Sequence, residues 1–216
     1  MKFLLIPIFI FFNFKLFAQL HFQFCWGTEP ILNSKKYDIN EKDSISFSEL
    51  KLYLSNFILK SKNRTIEINE IALIDNDNEE SKIILDTIQI SDFNTLIFTF
   101  GLDSNTNTSG ILTEDLDPVN GMYWAWNSGY IHLRMVGNSN IVSKNKKLFE
   151  YHLGGYRFPN QTYFPVNVSI KGNNLKFDLK PLFRNQIQLD KKNNIMIPGK
   201  EAHQISKFAA SLFCTE

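Results

Sequence analysis

The sequence has almost no net charge and contains few cysteine and histidine residues. Each of these features excludes some classes of function. Its 216 residues carry 23 basic and 22 acidic side chains, a formal net charge of +1. A near-neutral chain lacks the positive field that gathers phosphates, which argues against nucleic-acid binding as the main role. Since 44% of its residues are hydrophobic, its composition is not that of a disordered chain either.

Catalytic sequence templates are also missing. The chain has no Gly-x-Ser-x-Gly elbow, no phosphate-binding glycine loop, no His-Glu-x-x-His motif and no Cys-x-x-Cys motif. The sequence therefore does not support an ordinary hydrolase, and we expect a binding protein rather than an enzyme.

The first 18 residues differ in composition from the rest and predict a secretory signal peptide. Six of the 20 phenylalanines lie there. The apolar run Phe3–Phe12 follows Lys2 and spans about ten residues, against roughly 20 for a helix that crosses a membrane. Ala18 marks the expected cleavage point, and the alternative is a buried N-terminal strand. We expect one β-rich domain over residues 19–216, periplasmic or secreted, with no membrane span.

The two cysteines, Cys25 and Cys214, lie near the two ends of the mature chain. In an oxidising compartment an even pair of cysteines favours a disulfide. The alternative is that Cys25 serves as a thiolate metal ligand.

Short alternating apolar segments between clusters of Asn, Asp, Gly and Ser indicate a mostly β chain. Their number and spacing favour an antiparallel β-sandwich or an open barrel. The segments are residues 21–26, 50–54, 66–73, 83–90 and 96–100. After Pro198-Gly199, the spacing of Ala202, Ile205 and Ala209 predicts a C-terminal helix with one apolar face.

The clearest predicted hairpin joins residues 166–170 to residues 175–179. Both segments keep a period of two, and the turn dipeptide Gly172-Asn173 lies between them. We therefore expect the two segments to pair with each other.

A long loop leads into the most aromatic part of the chain. Residues 101–121 form a loop of about 20 residues, a length typical of functional loops or disorder. The stretch from Met122 to Tyr130 then contains two tryptophans and two tyrosines. Alternation along a strand predicts Met122, Trp124 and Trp126 on one side.

Histidine is scarce, so a three-histidine metal site would need most of His21, His132, His152 and His203 to converge. His152 precedes Gly154-Gly155, where the backbone can turn and other groups can approach closely. For His21 and His132 we favour a hydrogen-bonded imidazole over a metal ligand. His203 lies beside the apolar face of the predicted helix and fits either role.

Two blocks of residues suggest a family. The segment from Gly121 to Tyr130, GMYWAWNSGY, precedes the segment from Tyr151 to Gly155, YHLGG, by about 20 residues. In this order the pair resembles the methanobactin-associated copper-binding protein (MbnP-like) family. The similarity covers nearly all of the mature chain, from Gly27 to the C-terminal helix.

The resemblance implies a secreted or periplasmic β-rich domain that binds one copper ion through histidines. It also implies a tryptophan beside the metal that some members oxidise to kynurenine with a partner dihaem peroxidase. Carried over by position, His152 is the best ligand candidate, with His132 or His203 as the second. Trp124 or Trp126 is the candidate for modification, and Met122 lies on the same side as both.

The leading hypothesis is therefore a copper-binding protein that acts in copper acquisition, storage or delivery. The second hypothesis is an interaction module without metal, whose aromatic block and long loop bind a partner protein or a glycan.

Overall fold

The computed structural model describes residues 19–86, 88–110, 112–142 and 147–216. The predicted signal peptide, residues 1–18, lies outside the described residues. Within them the strands are β1 (Leu20–Trp26), β2 (Glu29–Pro30), β3 (Lys36–Asp38), β4 (Ser44–Lys60), β5 (Thr65–Asp75), β6 (Ile83–Ile84), β7 (Thr95–Phe100), β8 (Tyr123–Trp124), β9 (Gly129–Ser139), β10 (Leu148–Gly154), β11 (Phe164–Ser169), β12 (Asn174–Asp178), β13 (Asn194–Ile195) and β14 (Phe213–Thr215). The helices are α1 (Ser104–Thr108), α2 (Lys180–Asn185) and α3 (Lys200–Ala209), and short 3-10 turns occur at Glu80–Lys82, Ile90–Asp92, Glu114–Leu116 and Pro118–Asn120.

The strands form two sheets. The smaller sheet has the order β14-β12-β1-β2, with β6 also paired to β1. The larger sheet has the order β11-β7-β4-β9-β10-β13, with β3 and β5 paired to β4 and β8 paired to β9. Most pairs are antiparallel, but β1 with β12 and β10 with β13 are parallel. The curled, half-barrel arrangement with a C-terminal helix confirms the predicted mostly β class.

The main hydrophobic core lies between the two sheets. In β7 the burial alternates, so that Leu96, Phe98 and Phe100 point inward. From the smaller sheet, Phe177 and Phe213 stack with ring centroids 4.5 Å apart, and Phe177 also lies 6.2 Å from Phe100. Each such fully buried side chain stabilises the fold by about 1.5–3 kcal/mol.

The predicted hairpin between residues 166–170 and 175–179 is wrong. Strand β11 pairs with β7 in the larger sheet, whereas β12 pairs with β1 and β14 in the smaller one. Both segments alternate because both face the shared core, Val166 and Val168 from one sheet and Leu175 and Phe177 from the other. A period of two therefore identified the buried face but not the pairing partner.

The predicted disulfide is also wrong, because Cys25 and Cys214 are both free. Cys25 lies on β1 and Cys214 on β14, and β12 runs between them. Two strand spacings separate the backbones by about 9–10 Å, whereas disulfide-bonded Cα atoms lie within about 7 Å. Burial raises the pKa of the Cys25 thiol to about 11, which disfavours the thiolate that a metal ligand would need.

The C-terminal helix is confirmed as α3. Ala202, Ile205 and Ala209 are buried in the main core, as the spacing predicted. No helix in the described part of the chain has the length and apolar character needed to cross a membrane.

The described part of the predicted long loop, residues 101–110 and 112–121, covers the outer face of the larger sheet. Asp103 caps α1 by accepting a hydrogen bond from the Thr106 backbone N–H. Asp115 ties the loop to the sheet, since its Oδ2 accepts from the Leu73 N–H at 2.8 Å and its carbonyl accepts from the Tyr53 hydroxyl at 2.7 Å. Beneath the cover lies a second hydrophobic cluster of Tyr53, Leu73, Leu102, Leu116, Met122, Trp124, Tyr130 and Ile131.

Candidate metal site

The aromatic block forms a short hairpin at the edge of this second cluster. Strand β8 pairs with the start of β9, with Trp124 opposite Gly129. Met122 and Trp124 are buried together in the second cluster, as alternation predicted. Trp126 does not continue a strand: it lies in the hairpin turn and is 64% exposed, although its ring still lies 5.6 Å from that of Trp124.

A glycine lets the Trp124 ring reach β10. A Cβ atom on Gly154 would lie 2.8 Å from the Trp124 ring and 2.5 Å from the Tyr130 carbonyl oxygen, both too close for a real contact. Gly154 is therefore required for this packing. The absence of a side chain on Gly154 thus lets Trp124 pack against β10. The same strand carries His152, two residues before Gly154.

His152 is buried and its Nε2 atom makes no hydrogen bond. The residue is 5% exposed and faces away from the main core, into which its neighbours Tyr151 and Leu153 point. The Glu150 carboxylate lies close, with its Oε1 atom 3.1 Å from Nε2, but the two atoms lack hydrogen-bond geometry. Burial, and then the Arg134 guanidinium, lower the pKa of His152 to about 4, so its imidazole is neutral at ordinary pH.

His132, on the neighbouring strand β9, is fully buried and both of its ring nitrogens are occupied. Asn107 Oδ1 accepts from the Tyr130 N–H, so the Asn107 amide points its NH₂ group at His132 Nε2, 3.1 Å away. Nε2 is thus the acceptor, and Nδ1–H donates to Thr162 Oγ1 at 2.9 Å. Burial lowers the pKa of His132 to about 4. The favoured prediction of a hydrogen-bonded imidazole is confirmed.

His203 and His21 lie away from this place. His203 Nδ1 lies 2.6 Å from the Gln161 carbonyl oxygen, and its ring packs against Phe164. It belongs to α3, which packs in the main core on the opposite side of β10 from His152. His21 is exposed on β1 of the smaller sheet. Within the described residues, no three His, Cys, Asp or Glu side chains converge as a metal site.

The structure also brings in residues that sequence reasoning missed. Glu150 lies two residues before His152, so strand alternation alone placed its carboxylate on the same face. Gly154 was noted for a backbone turn and for the close approach of other groups, but Trp124 was not identified as the group that approaches. Asn107 and Thr162 had no local signal, because they reach His132 from segments 25 and 30 residues away along the chain.

Comparison with known proteins identifies the family of the chain. The MbnP family model matches residues 16–197, well over half of the chain. Among solved structures, MbnP from Methylosinus trichosporium matches with a TM-score of 0.56 at 13% sequence identity, over 79% of this chain and 78% of that one. No curated protein matches the chain in sequence. The structural match shows a common fold, and the extent of the family-model match shows that the chain belongs to the MbnP family.

Proposed function

We propose that this chain is a copper-binding protein of the periplasm or the cell exterior, acting in copper acquisition, storage or delivery rather than in catalysis. The observation that carries the proposal is the buried His152 Nε2, which has no hydrogen bond in the described structure. A buried polar atom without a partner costs about 1–3 kcal/mol, and such a group calls for a ligand or a functional explanation.

The chemistry of His152 suits copper. A neutral imidazole offers the nitrogen lone pair that copper prefers. His152 is neutral because its pKa is near 4, so no proton must be displaced from Nε2 of the appropriate tautomer at physiological pH. The other histidines fit less well: His132 would have to give up a hydrogen bond at either nitrogen, and His203 faces another side of the strand.

The same geometry favours Trp124 as the residue open to oxidative modification. Trp124 packs against Gly154, close to His152, while Trp126 lies further out in the exposed turn. A dihaem peroxidase as the oxidising partner is part of this proposal and follows from the family resemblance.

Copper titration tests the metal site. One equivalent of Cu(I) is added to the purified mature chain and affinity is measured by competition with a chelator. His152→Asn should weaken binding at least about tenfold, because it removes the ligand. His132→Asn is the matched control, a buried histidine on the next strand whose loss should leave affinity unchanged. Equal affinity in wild type and His152→Asn would refute the proposed ligand.

Intact-mass analysis of the natively secreted protein tests the modification. Conversion of tryptophan to kynurenine gives a defined mass increment. The increment should persist in Trp126→Phe and disappear in Trp124→Phe. The reverse pattern would identify Trp126, in the hairpin turn, as the modified residue.

A second candidate function rests on a separate surface. Asn127, Tyr156, Arg157 and Phe158 help to line a groove of about 190 Å³ next to Trp126. Phe158 is 88% exposed and Trp126 is 64% exposed. Exposed aromatic rings beside amide and guanidinium donors suit a glycan or a partner protein.

A glycan array with the mature chain tests this second function. Binding that is lost in the double variant Trp126→Ser with Phe158→Ser, and retained in His152→Asn, would support it. Binding to copper but to no glycan would favour the first function.

A further inference from the structure

Strand β5 lies at an edge of the larger sheet, and part of its outer side is open to another strand. In the described part of the chain β5 pairs with β4 alone. Backbone groups in an antiparallel strand point alternately toward and away from the partner strand. In the turn between β4 and β5 the Ser61 N–H donates to the Arg64 carbonyl at 2.8 Å. Arg64 therefore points toward β4, whereas the backbone groups of Thr65 and Glu67 point away from it.

Side chains occupy the outer side at the other end of β5. The Leu73 N–H donates to Asp115 Oδ2 at 2.8 Å, and the Asp75 N–H donates to a serine hydroxyl at 2.9 Å. By alternation, Ile71 is the next residue whose N–H points outward. The open part of the edge is therefore residues 65–71.

A groove of about 390 Å³ lies beside this edge and is lined by residues 70–73 of β5 and by both residues of β6. Apolar side chains contribute to it, among them Phe57 and Leu73. Four carboxylates line the same groove, those of Glu70, Glu80, Asp86 and Asp115. Within the described residues no Lys, Arg or His lines the groove, and none of the four carboxylates forms an ion pair. The groove therefore favours a positively charged occupant.

The edge and the groove together select among occupants. A second copy of this chain would bring the same carboxylates against each other, and like charges across a strand pair are destabilising. A bound metal ion would need several converging His, Cys, Asp or Glu side chains, and the described residues contain no such group of three. An extended segment with Lys or Arg satisfies both features, because its backbone pairs with the edge and its cations enter the groove.

We propose that the outer edge of β5 and the acidic groove beside it bind an extended segment of a partner protein that carries lysine or arginine, by strand addition. The carboxylates select the charge of the segment, and the outward N–H and C=O groups of residues 65–71 select its extended conformation. This surface shares no residue with His152 or with the groove next to Trp126, so the inference does not depend on the copper-binding function.

The experiment uses the full mature chain and a short peptide in which lysine alternates with threonine and valine. A matched peptide has glutamate in place of each lysine, and spermidine supplies positive charge without a peptide backbone. Calorimetry measures the affinity of wild type, Glu67→Pro and Glu67→Ala. Glu67 is exposed, and both variants lose its charge, but only the proline lacks the outward N–H. Proline is tolerated on edge strands, and thermal unfolding checks that each variant folds.

A second set of variants tests the charge of the groove. The groove variant is a triple substitution, Glu70→Gln with Glu80→Gln and Asp86→Asn. Its control neutralises three exposed carboxylates outside the groove, Asp38→Asn with Glu41→Gln and Asp190→Asn.

The lysine peptide should bind wild type with a dissociation constant below about 1 mM, and the glutamate peptide and spermidine should bind at least about tenfold more weakly. Glu67→Pro and the groove variant should each lose about tenfold or more in affinity, while Glu67→Ala and the control triple variant change it less than about threefold. Bound peptide should also slow hydrogen exchange at the N–H groups of Thr65, Glu67 and Ile71, a readout that needs no variant.

Three results would overturn the inference: no binding of the lysine peptide, equal affinity for spermidine, or unchanged affinity in Glu67→Pro. Dimerisation of wild type that Glu67→Pro abolishes would overturn it as well, because the edge would then serve a second copy of the chain. In each case the proposed copper function would still stand.

Discussion

His132 and His152 occupy neighbouring strands, both are buried, and burial lowers the pKa of both to about 4. They differ in what surrounds the ring. His132 has Asn107 on one nitrogen and Thr162 on the other, whereas His152 Nε2 has no hydrogen bond. Burial and pKa therefore do not distinguish a structural histidine from a candidate ligand. The hydrogen bonds made by the two ring nitrogens do.

Of the two buried histidines, His132 should contribute more to stability. His132→Asn removes a fully buried ring and its two hydrogen bonds, so we expect the free energy of unfolding to fall by about 2–3 kcal/mol. His152→Asn should cost less, about 1 kcal/mol, because Nε2 loses no hydrogen bond. Urea unfolding of both variants measures the difference. A larger loss for His152→Asn would reverse the structural roles assigned to the two residues.

Acid should destabilise the fold through His132. Its pKa is about 6.5 when unfolded and about 4 when folded, so between these values the unfolded chain binds more protons. Stability should therefore be complete above about pH 6.5 and fall as the pH drops toward 4, by on the order of 2–3 kcal/mol for this residue. Unfolding free energies across this range should show a shallower slope in His132→Asn than in wild type. Parallel slopes would contradict a neutral, buried His132.

Local patterns predicted faces better than partners. Helix α3 was predicted from Ala202, Ile205 and Ala209 because a helix is defined by contacts three and four residues apart. The hairpin prediction failed because Val166 and Leu175 show the same alternation whether they pair with each other or face each other across a core. The disulfide prediction failed for a related reason, since nothing in the sequence shows that β12 runs between the two cysteines.

The residues of the candidate site likewise fall into two groups, those that local sequence patterns could predict and those that they could not. His152 followed from the resemblance, and Glu150 could have followed from the two-residue period of β10. The partners of His132 could not, because Asn107 and Thr162 are brought to it by tertiary packing from distant segments. Trp126 was misplaced because the alternation of an aromatic run continues unchanged through a turn that ends the strand.

The contact between Trp124 and β10 can be tested by adding one methyl group. In Gly154→Ala the new Cβ would collide with the Tyr130 carbonyl and the Trp124 ring, and overpacking of this kind costs about 1–3 kcal/mol. We also expect altered copper affinity, because displacement of Trp124 opens the face that carries His152. Gly110→Ala is a control for a glycine with no atom within 4 Å of its Cβ position, although its positive φ adds some strain of its own. Native stability and copper affinity in Gly154→Ala would show that Trp124 does not depend on this contact.

The smallest expected effect separates the two tryptophans. Trp126→Ala removes a side chain that is 64% exposed, so the free energy of unfolding should change by less than about 1 kcal/mol. Trp124→Ala, in the second cluster, should cost about 3–5 kcal/mol. Chemical denaturation measures both. If Trp126→Ala leaves stability and copper affinity intact but abolishes glycan binding, Trp126 belongs to the groove and Trp124 to the surroundings of His152. If it weakens copper binding as strongly as His152→Asn does, the turn is part of the metal site, and the division between the two tryptophans is wrong.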